Sequence, residues 1–415
     1  MSGNGRPEPC LAYSSPAHGG WGIVRVGMLV PEIHQLFVCP SACGRHGAIG
    51  AIVHGYKDRL SYLFIDESDI VSGGYEQLII DGADELLRSI KRPRGILIVV
   101  SCLDDLLGTD HEVFLGELRR RHPDVRFGLG HMNPISDGGR LPPAAGIQKS
   151  IYSFLEPSAG RLRQVNILGQ NAPPARGDLH EFLEGMGYGV RVIGECKTFD
   201  EYLGLSFSVL DVVTRPAARI AAGDMEDRLG IGWIYAPISF DAAEIESNYR
   251  AIAERLGEPF RFDCGPWKKS LAEALERTRE AVGGREIAVD DSATLRPFSL
   301  AKLLSENGFR VVKVCAGECP KFEEGALSWL REKTDAEWVE HDRHDAPLLR
   351  EARPEMLAVG FECAYLYGVS LVADQVADEG QYGFAGITLM LERMRRAAAG
   401  PVDLQAVIRS YGLVV

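Results

Sequence analysis

Four cysteines near the start of this chain are the residues best equipped to do chemistry. Cys39 and Cys43 stand four apart in HQLFVCPSAC, Cys10 follows Pro9, and Cys102 comes directly after the apolar run ILIVVS. Thiolates bind soft and borderline metals, so such a group suits an iron–sulfur cluster, a zinc ion or a redox pair. The spacing prunes this set. C-x-x-x-C is not the C-x-x-C of a thioredoxin-type pair, and no second C-x-x-C completes a zinc knuckle. The ordinary alternative is four core thiols, because cysteine is among the most buried residue types.

The other candidates are weaker. Cys196, Cys264 and Cys363 are isolated and read as core residues, whereas Cys315 and Cys319 repeat the four-residue step and read as structural or as a minor metal pair. His34, His46 and His54 flank the first cysteines and read as hydrogen-bonding residues. Asp104, Asp105, Asp110 and His111 follow Cys102. They suit either a proton relay or an acidic helix start that satisfies exposed N–H groups. No acid/base pair or nucleophile triad is assignable, so no residue is expected to be catalytic.

Stepping out to the elements that hold these residues, short apolar runs alternate with amphipathic segments from about residue 95 onward. Strands are expected at 96–101, 125–130, 164–168, 190–193, 208–213, 233–236, 285–289, 310–314, 336–340 and 356–360, with helices at 111–121, 179–186, 217–229, 247–255, 268–282 and 300–307. Strands spaced by helices predict an α/β protein with mostly parallel, Rossmann-like sheets. A turn-rich linker near 160, and the polar helix 268–282 with its Gly283–Gly284 break, divide it into three such domains, 1–160 with the cysteine loops, 161–275, and 276–415 with the C-terminal helices. The strand–loop–helix–strand pattern recurs at 164–193 and 285–314, but neither loop carries G-x-G-x-x-G, and no G-x-x-x-x-G-K-[ST] occurs. A dinucleotide or ATP site is therefore disfavoured.

The chain has 415 residues, 46% hydrophobic and 25% charged, and a net charge of −13. Length and composition allow several cores, and the acidic balance argues against nucleic acid as a partner. No run reaches the roughly 18 apolar residues of a membrane span, and MSGNGRPEPC is unlike a signal peptide. The expectation is a cytoplasmic protein with no membrane partner. Nine cysteines in a reducing compartment then read as free thiols or metal ligands rather than disulfides.

In their order, these pieces resemble component 1 subunits of nitrogenase and nitrogenase-like reductases. Cys10, Cys43 within CPSAC, ESDIVSGGYEQL at 67–78, and SCLDDLLGTDHE at 101–112 follow one another as the family's cysteine, acidic "DIVFGG" and cysteine–"G-D-D" elements do. QYGFAGITLMLERM resembles its closing "GY-x-G" helix. The resemblance implies that Cys10, Cys43 and Cys102 bind an iron–sulfur cluster, 8Fe–7S of the P-cluster type or 4Fe–4S, shared with a homologous α-like subunit in an α2β2 heterotetramer. It also implies a transient, ATP-dependent iron protein as electron donor. Cys39 is an extra thiol that replaces Cys43 as ligand or adds to it. Gly19, Gly20, Gly44, Gly73 and Gly74 would let the backbone approach the cluster.

Thr214 stands where catalytic subunits carry a cofactor-ligating cysteine, and Ala373 where they carry a histidine. The resemblance thus implies the non-catalytic, β-like subunit. The chain is shorter than conventional nitrogenase subunits, and its cysteine loops differ from those of the tetrapyrrole reductases. The most specific expectation is a methylthio-alkane reductase that cleaves C–S bonds. The alternatives are a scaffold for metallocofactor assembly, and a metal-free small-molecule-binding α/β protein.

Overall fold

The runs IHQLFVC and GILIVVS are buried at every position, as strands covered by helices on both faces must be. They form the centre of the first of three sheets in the computed structural model, which describes residues 13, 22–132, 142–169, 173–174, 176–349 and 351–411. Strands β1 (Ile33–Cys39), β2 (Leu60–Phe64), β3 (Gly95–Ser101) and β4 (Arg126–Met132) lie in the order β2-β1-β3-β4. The second sheet holds β5 (Gln164–Leu168), β6 (Gly189–Val192), β7 (Leu210–Val213) and β8 (Gly232–Tyr235), ordered β6-β5-β7-β8. The third holds β9 (Glu286–Asp290), β10 (Arg310–Cys315), β11 (Glu337–Val339), β12 (Leu357–Val359) and β13 (Leu371–Ala373), ordered β11-β10-β9-β12-β13.

Every pairing is parallel. The architecture is therefore the expected α/β one, with helices flanking three parallel sheets. In each sheet the winding reverses beside its first strand, at β1/β3, β5/β7 and β9/β12. Doubly wound sheets open their ligand crevices at such points, outside the carboxyl ends of the strands.

All ten expected strands are present, with ends displaced by one or two residues. Three more were not expected. β1 carries the polar residues His34 and Gln35, which are buried in the strand, and His34 Nε2 meets Ser61 Oγ of β2 at 2.9 Å. These polar residues hid a strand of which only the 36–38 run looked apolar. β2 is a partly exposed edge strand, and β13 is only three residues long. The α/β alternation thus starts at residue 33, not 95.

The second and third sheets share one apolar core, and the first packs mainly on the second. Asp178 fastens the C-terminal helix Gly383–Ala399 to the second sheet: Tyr249 Oη donates to it at 2.6 Å, and the Phe384 and Ala385 N–H groups at 2.8 and 3.0 Å. A buried carboxylate is tolerated here because three donors replace its water. Among the described residues, no helix is long and apolar enough to cross a membrane.

Candidate functional site

Val38 of β1 pairs with Val100 of β3, so the two chains leave the first sheet side by side at its switch point. Cys39 is the last residue of β1, Cys43 lies in the first turn of the Ser41–Val53 helix, and Cys102 opens the Cys102–Leu107 helix. Cys39 and Cys43 are thus held by a strand end and a helix start rather than by loops. The fold gathers all three at one edge. Burial and the neighbouring Cys43 push the Cys39 thiol up to about 12, and burial and Cys102 raise that of Cys43. Cys39 is fully buried among Phe37, Val26 and Val99, whereas Cys43 and Cys102 are half-buried. Cys10 lies outside the described residues, as do Gly19 and Gly20.

Gly44 has a packing role. A Cβ there would meet the Phe64 and Tyr62 rings at 3.1 and 3.3 Å, so the missing side chain lets the Ser41–Val53 helix settle onto β2. Gly73 faces open space, and a Cβ at Gly74 would meet Ser72 Oγ at an ordinary 3.5 Å. Gly73 supplies a left-handed turn (φ 72°) after the short helix Glu67–Val71. Asp66 and Asp69 close the front of that helix as a reciprocal capping box, which gives Asp69 a local structural role.

This edge is open and rimmed with apolar side chains. Val71 is 87% exposed, Leu106 82% and Phe64 52%. Scattered exposed apolar residues are normal, but several around one sheet edge mark an interaction surface. Asp110 caps the His111–Arg121 helix by accepting from the Glu112 N–H at 3.1 Å, as a helix-start acid should. Asp104 does something else. It is fully buried and accepts from His111 Nε2 at 2.5 Å.

At the second switch point the described residues pack closely together. Thr214 follows β7, is buried, and donates its hydroxyl to the Leu168 carbonyl at 3.0 Å. Arg215 donates to the Ala377 carbonyl at 3.0 Å and meets Asp378 at 3.5 Å. Ala377 and Asp378 both take left-handed conformations, φ 47° and 60°, anchored by N–H bonds to the Ser292 and Ala293 carbonyls. Among the described residues, two small cavities of about 10 Å³ each lie beside Thr214, room for about one water apiece. A larger cleft of about 610 Å³ lies between the first and third sheets, lined among others by Arg25, His54, Tyr56, Glu379, Arg393 and Tyr411.

The family model "Nitrogenase component 1 type Oxidoreductase" matches residues 20–397. The chain belongs to that family. It is therefore a subunit of a nitrogenase-like oxidoreductase complex, in a family whose members carry iron–sulfur clusters and assemble with partner subunits and an iron protein. Among solved structures, one described as "Nitrogenase Cp1 at pH 6.5" is 14% identical with a TM-score of 0.69, the match covering 95% of this chain and 93% of that one. "Nitrogenase Cp1 at pH 5" is likewise 14% identical, at TM-score 0.63, covering 95% and 90%. At this identity the two structures establish that this component 1-type chain shares their fold. Compared by sequence with proteins of curated function, it finds no match.

Proposed function

We propose that this chain is the non-catalytic, β-like subunit of a nitrogenase-like reductase, binding an interfacial iron–sulfur cluster through Cys10, Cys43 and Cys102. The observation that carries the reading is the convergence of Cys43 and Cys102, both accessible, on one open sheet edge rimmed by apolar residues. Their donor chemistry fits an iron–sulfur cluster, whose irons take thiolate ligands. Such a cluster supplies one-electron transfer, here between an ATP-dependent iron protein and an active-site cluster in the partner subunit. The chain's own part is to hold the ligands and to exclude water. Between Cys39 and Cys43, the half-buried Cys43 suits a shared cluster, and Cys39 packs behind it as a protonated core thiol.

The rim gives the partner subunit something to bury. Each apolar side chain fully buried on docking is worth about 1.5–3 kcal/mol, so Phe64, Val71 and Leu106 together would seal the cluster edge against solvent. The non-catalytic reading is supported by Thr214, which stands where catalytic subunits carry a cofactor-ligating cysteine and here turns its hydroxyl to the Leu168 carbonyl. Small methylthio-alkanes are the substrate class proposed for the complex, on the sequence pattern alone.

The test is anaerobic purification of this chain with its partner subunit. Iron and acid-labile sulfide in the complex, and ATP- and iron-protein-dependent C–S cleavage, are the expected results. Iron without turnover would favour an assembly scaffold. A colourless, iron-free monomer would overturn the proposal and favour a metal-free binder using the 610 Å³ cleft.

A further inference from the structure

The helix that begins at Cys102 sends Leu106 outward and Asp104 inward. Asp104 Oδ2 holds His111 Nε2, but its Oδ1 is buried with no hydrogen-bond partner among the described residues. The Tyr75 hydroxyl faces Asp104 without reaching hydrogen-bonding geometry. An oxygen lone pair kept from water and left unused is costly, and it calls for a ligand. His131, near the end of β4, brings its ring edge-on to that of His111, with centroids 4.8 Å apart. One donor atom each from Asp104, His111 and His131 lie within 4.8 Å of one another.

We propose that Asp104, His111 and His131 form a mononuclear site for a divalent first-row transition ion, set behind Cys102 and distinct from the thiols. Two imidazoles and a carboxylate are the mixed nitrogen–oxygen set that Fe2+, Zn2+ and Mn2+ accept. Three protein ligands leave further positions for water. The His111 and His131 side chains are 21% and 35% exposed, which gives the ion a way in, while the carboxylate sits at the closed end. Metal–ligand distances of about 2.1 Å put donors around one ion roughly 3–3.5 Å apart. The ion would take up the idle Oδ1 and draw His131 in by about an ångström.

An outer carboxylate lies nearby. Asp105 Oδ1 is 3.6 Å from His131 Nδ1, beyond hydrogen-bonding distance, and a small turn of the ring on ion binding would let it serve as outer carboxylates do for ligand histidines. An ion here would join three elements: the helix carrying Cys102, the His111–Arg121 helix and the end of β4. It would fix the position of Cys102 from behind. The proposal does not depend on a cluster at the thiols.

The test uses the full chain, stripped with chelator and carrying Cys43→Ser and Cys102→Ser so that those thiolates do not compete. Titrated with Co2+ alone, it should take up one equivalent, giving d–d absorption without a thiolate-to-cobalt charge-transfer band. Zn2+ should displace the Co2+. His131→Ala, at a partly exposed strand end, and Asp104→Asn should each weaken Co2+ binding at least tenfold with the circular dichroism unchanged. Absence of the Co2+ signal, or full-strength binding in His131→Ala, would overturn the site and show a plain aspartate–histidine hydrogen bond. Should Asp104→Asn fail to fold, His131→Ala decides. The iron and sulfide content of the anaerobic complex reads the thiols separately, so one proposal can fail without the other.

Discussion

Cys39–Cys43 and Cys315–Cys319 have the same spacing and the same relation to a strand, the first thiol closing β1 or β10 and the second standing four residues on. Their neighbours differ. At the first sheet the adjacent β3 is followed directly by another thiol, Cys102, and the edge stays open. At the third sheet the adjacent β9 ends in Asp290, which is fully buried and accepts from Ser292 Oγ at 2.6 Å and the Cys363 N–H at 2.9 Å. Cys315 finds its thiol neighbour in Cys363, which does not stand isolated as its sequence position suggests. Cys319 points its sulfur at the Pro320 carbonyl, 3.7 Å away. His341 closes this edge by bonding Asp291 at 2.9 and 3.0 Å. The C-x-x-x-C spacing therefore carries no chemistry alone. What the neighbouring strand delivers, and whether the edge is open, decides between the proposed metal centre and a sealed acid cluster.

The sharpest way to break this contrast is to remove one thiol from each edge. Cys102→Ala should strip nearly all cluster iron from the anaerobically purified complex, while Cys315→Ala leaves iron and sulfide at the parent level. Equal iron in both variants would end the distinction. Next in size is the sealed edge. Gly360 has φ 108°, and a Cβ there would stand 1.9 Å from the Asp290 carboxylate. Gly360→Ala should destabilise the fold by roughly 3 kcal/mol or more in denaturant titration, through strain and overpacking.

The sealed edge should also respond to alkali. Burial disfavours a charged His341, but Asp291, Glu362 and Asp290 outweigh it and lift its pKa to about 9. Burial, then the Glu362 charge, raises Asp290. Both groups hold protons in the folded state that the unfolded chain gives up. The His341 contribution is fully present below pH 6.5 and is lost as pH rises through about 9. The denaturation midpoint should fall across that window, by on the order of 2 kcal/mol in stability, and His341→Gln should flatten the fall. A flat parent profile would contradict the buried network.

The smallest effect on stability is predicted at the open rim. Leu106→Asp or Val71→Asp should change it by no more than about 0.5 kcal/mol, yet weaken association with the partner subunit at least tenfold. Unchanged association in size-exclusion or titration experiments would remove the rim from the interface.

Ten strands, the helices expected between them and the parallel class were legible because each rests on a local period of apolar residues. β1 escaped because His34 and Gln35 interrupt its apolar run, and both are buried in a strand whose neighbours are remote in sequence. At the candidate site, Cys43 and Cys102 were legible as candidates through their order along the chain and the motifs between them, and Cys10, which lies outside the described residues, was a candidate on the same ground. The partnership of Asp104, His111 and His131 was not. His131 joins only because β4 pairs with β3, and no short spacing announces a contact made across a sheet.

By itself, the sequence determined the alternation of strands and helices, the component 1-type family and the thiols from which a cluster site could be built. The tertiary structure alone decided that Cys39 is sunk in the core while Cys43 reaches the rim, that Thr214 is buried and bonded to the Leu168 carbonyl, and that one C-x-x-x-C edge is open while the other is sealed by acids. The physical reason is the order of strands in a doubly wound sheet. It brings together ends that lie tens of residues apart, and burial of those ends then decides which groups keep their protons and which remain free to bind.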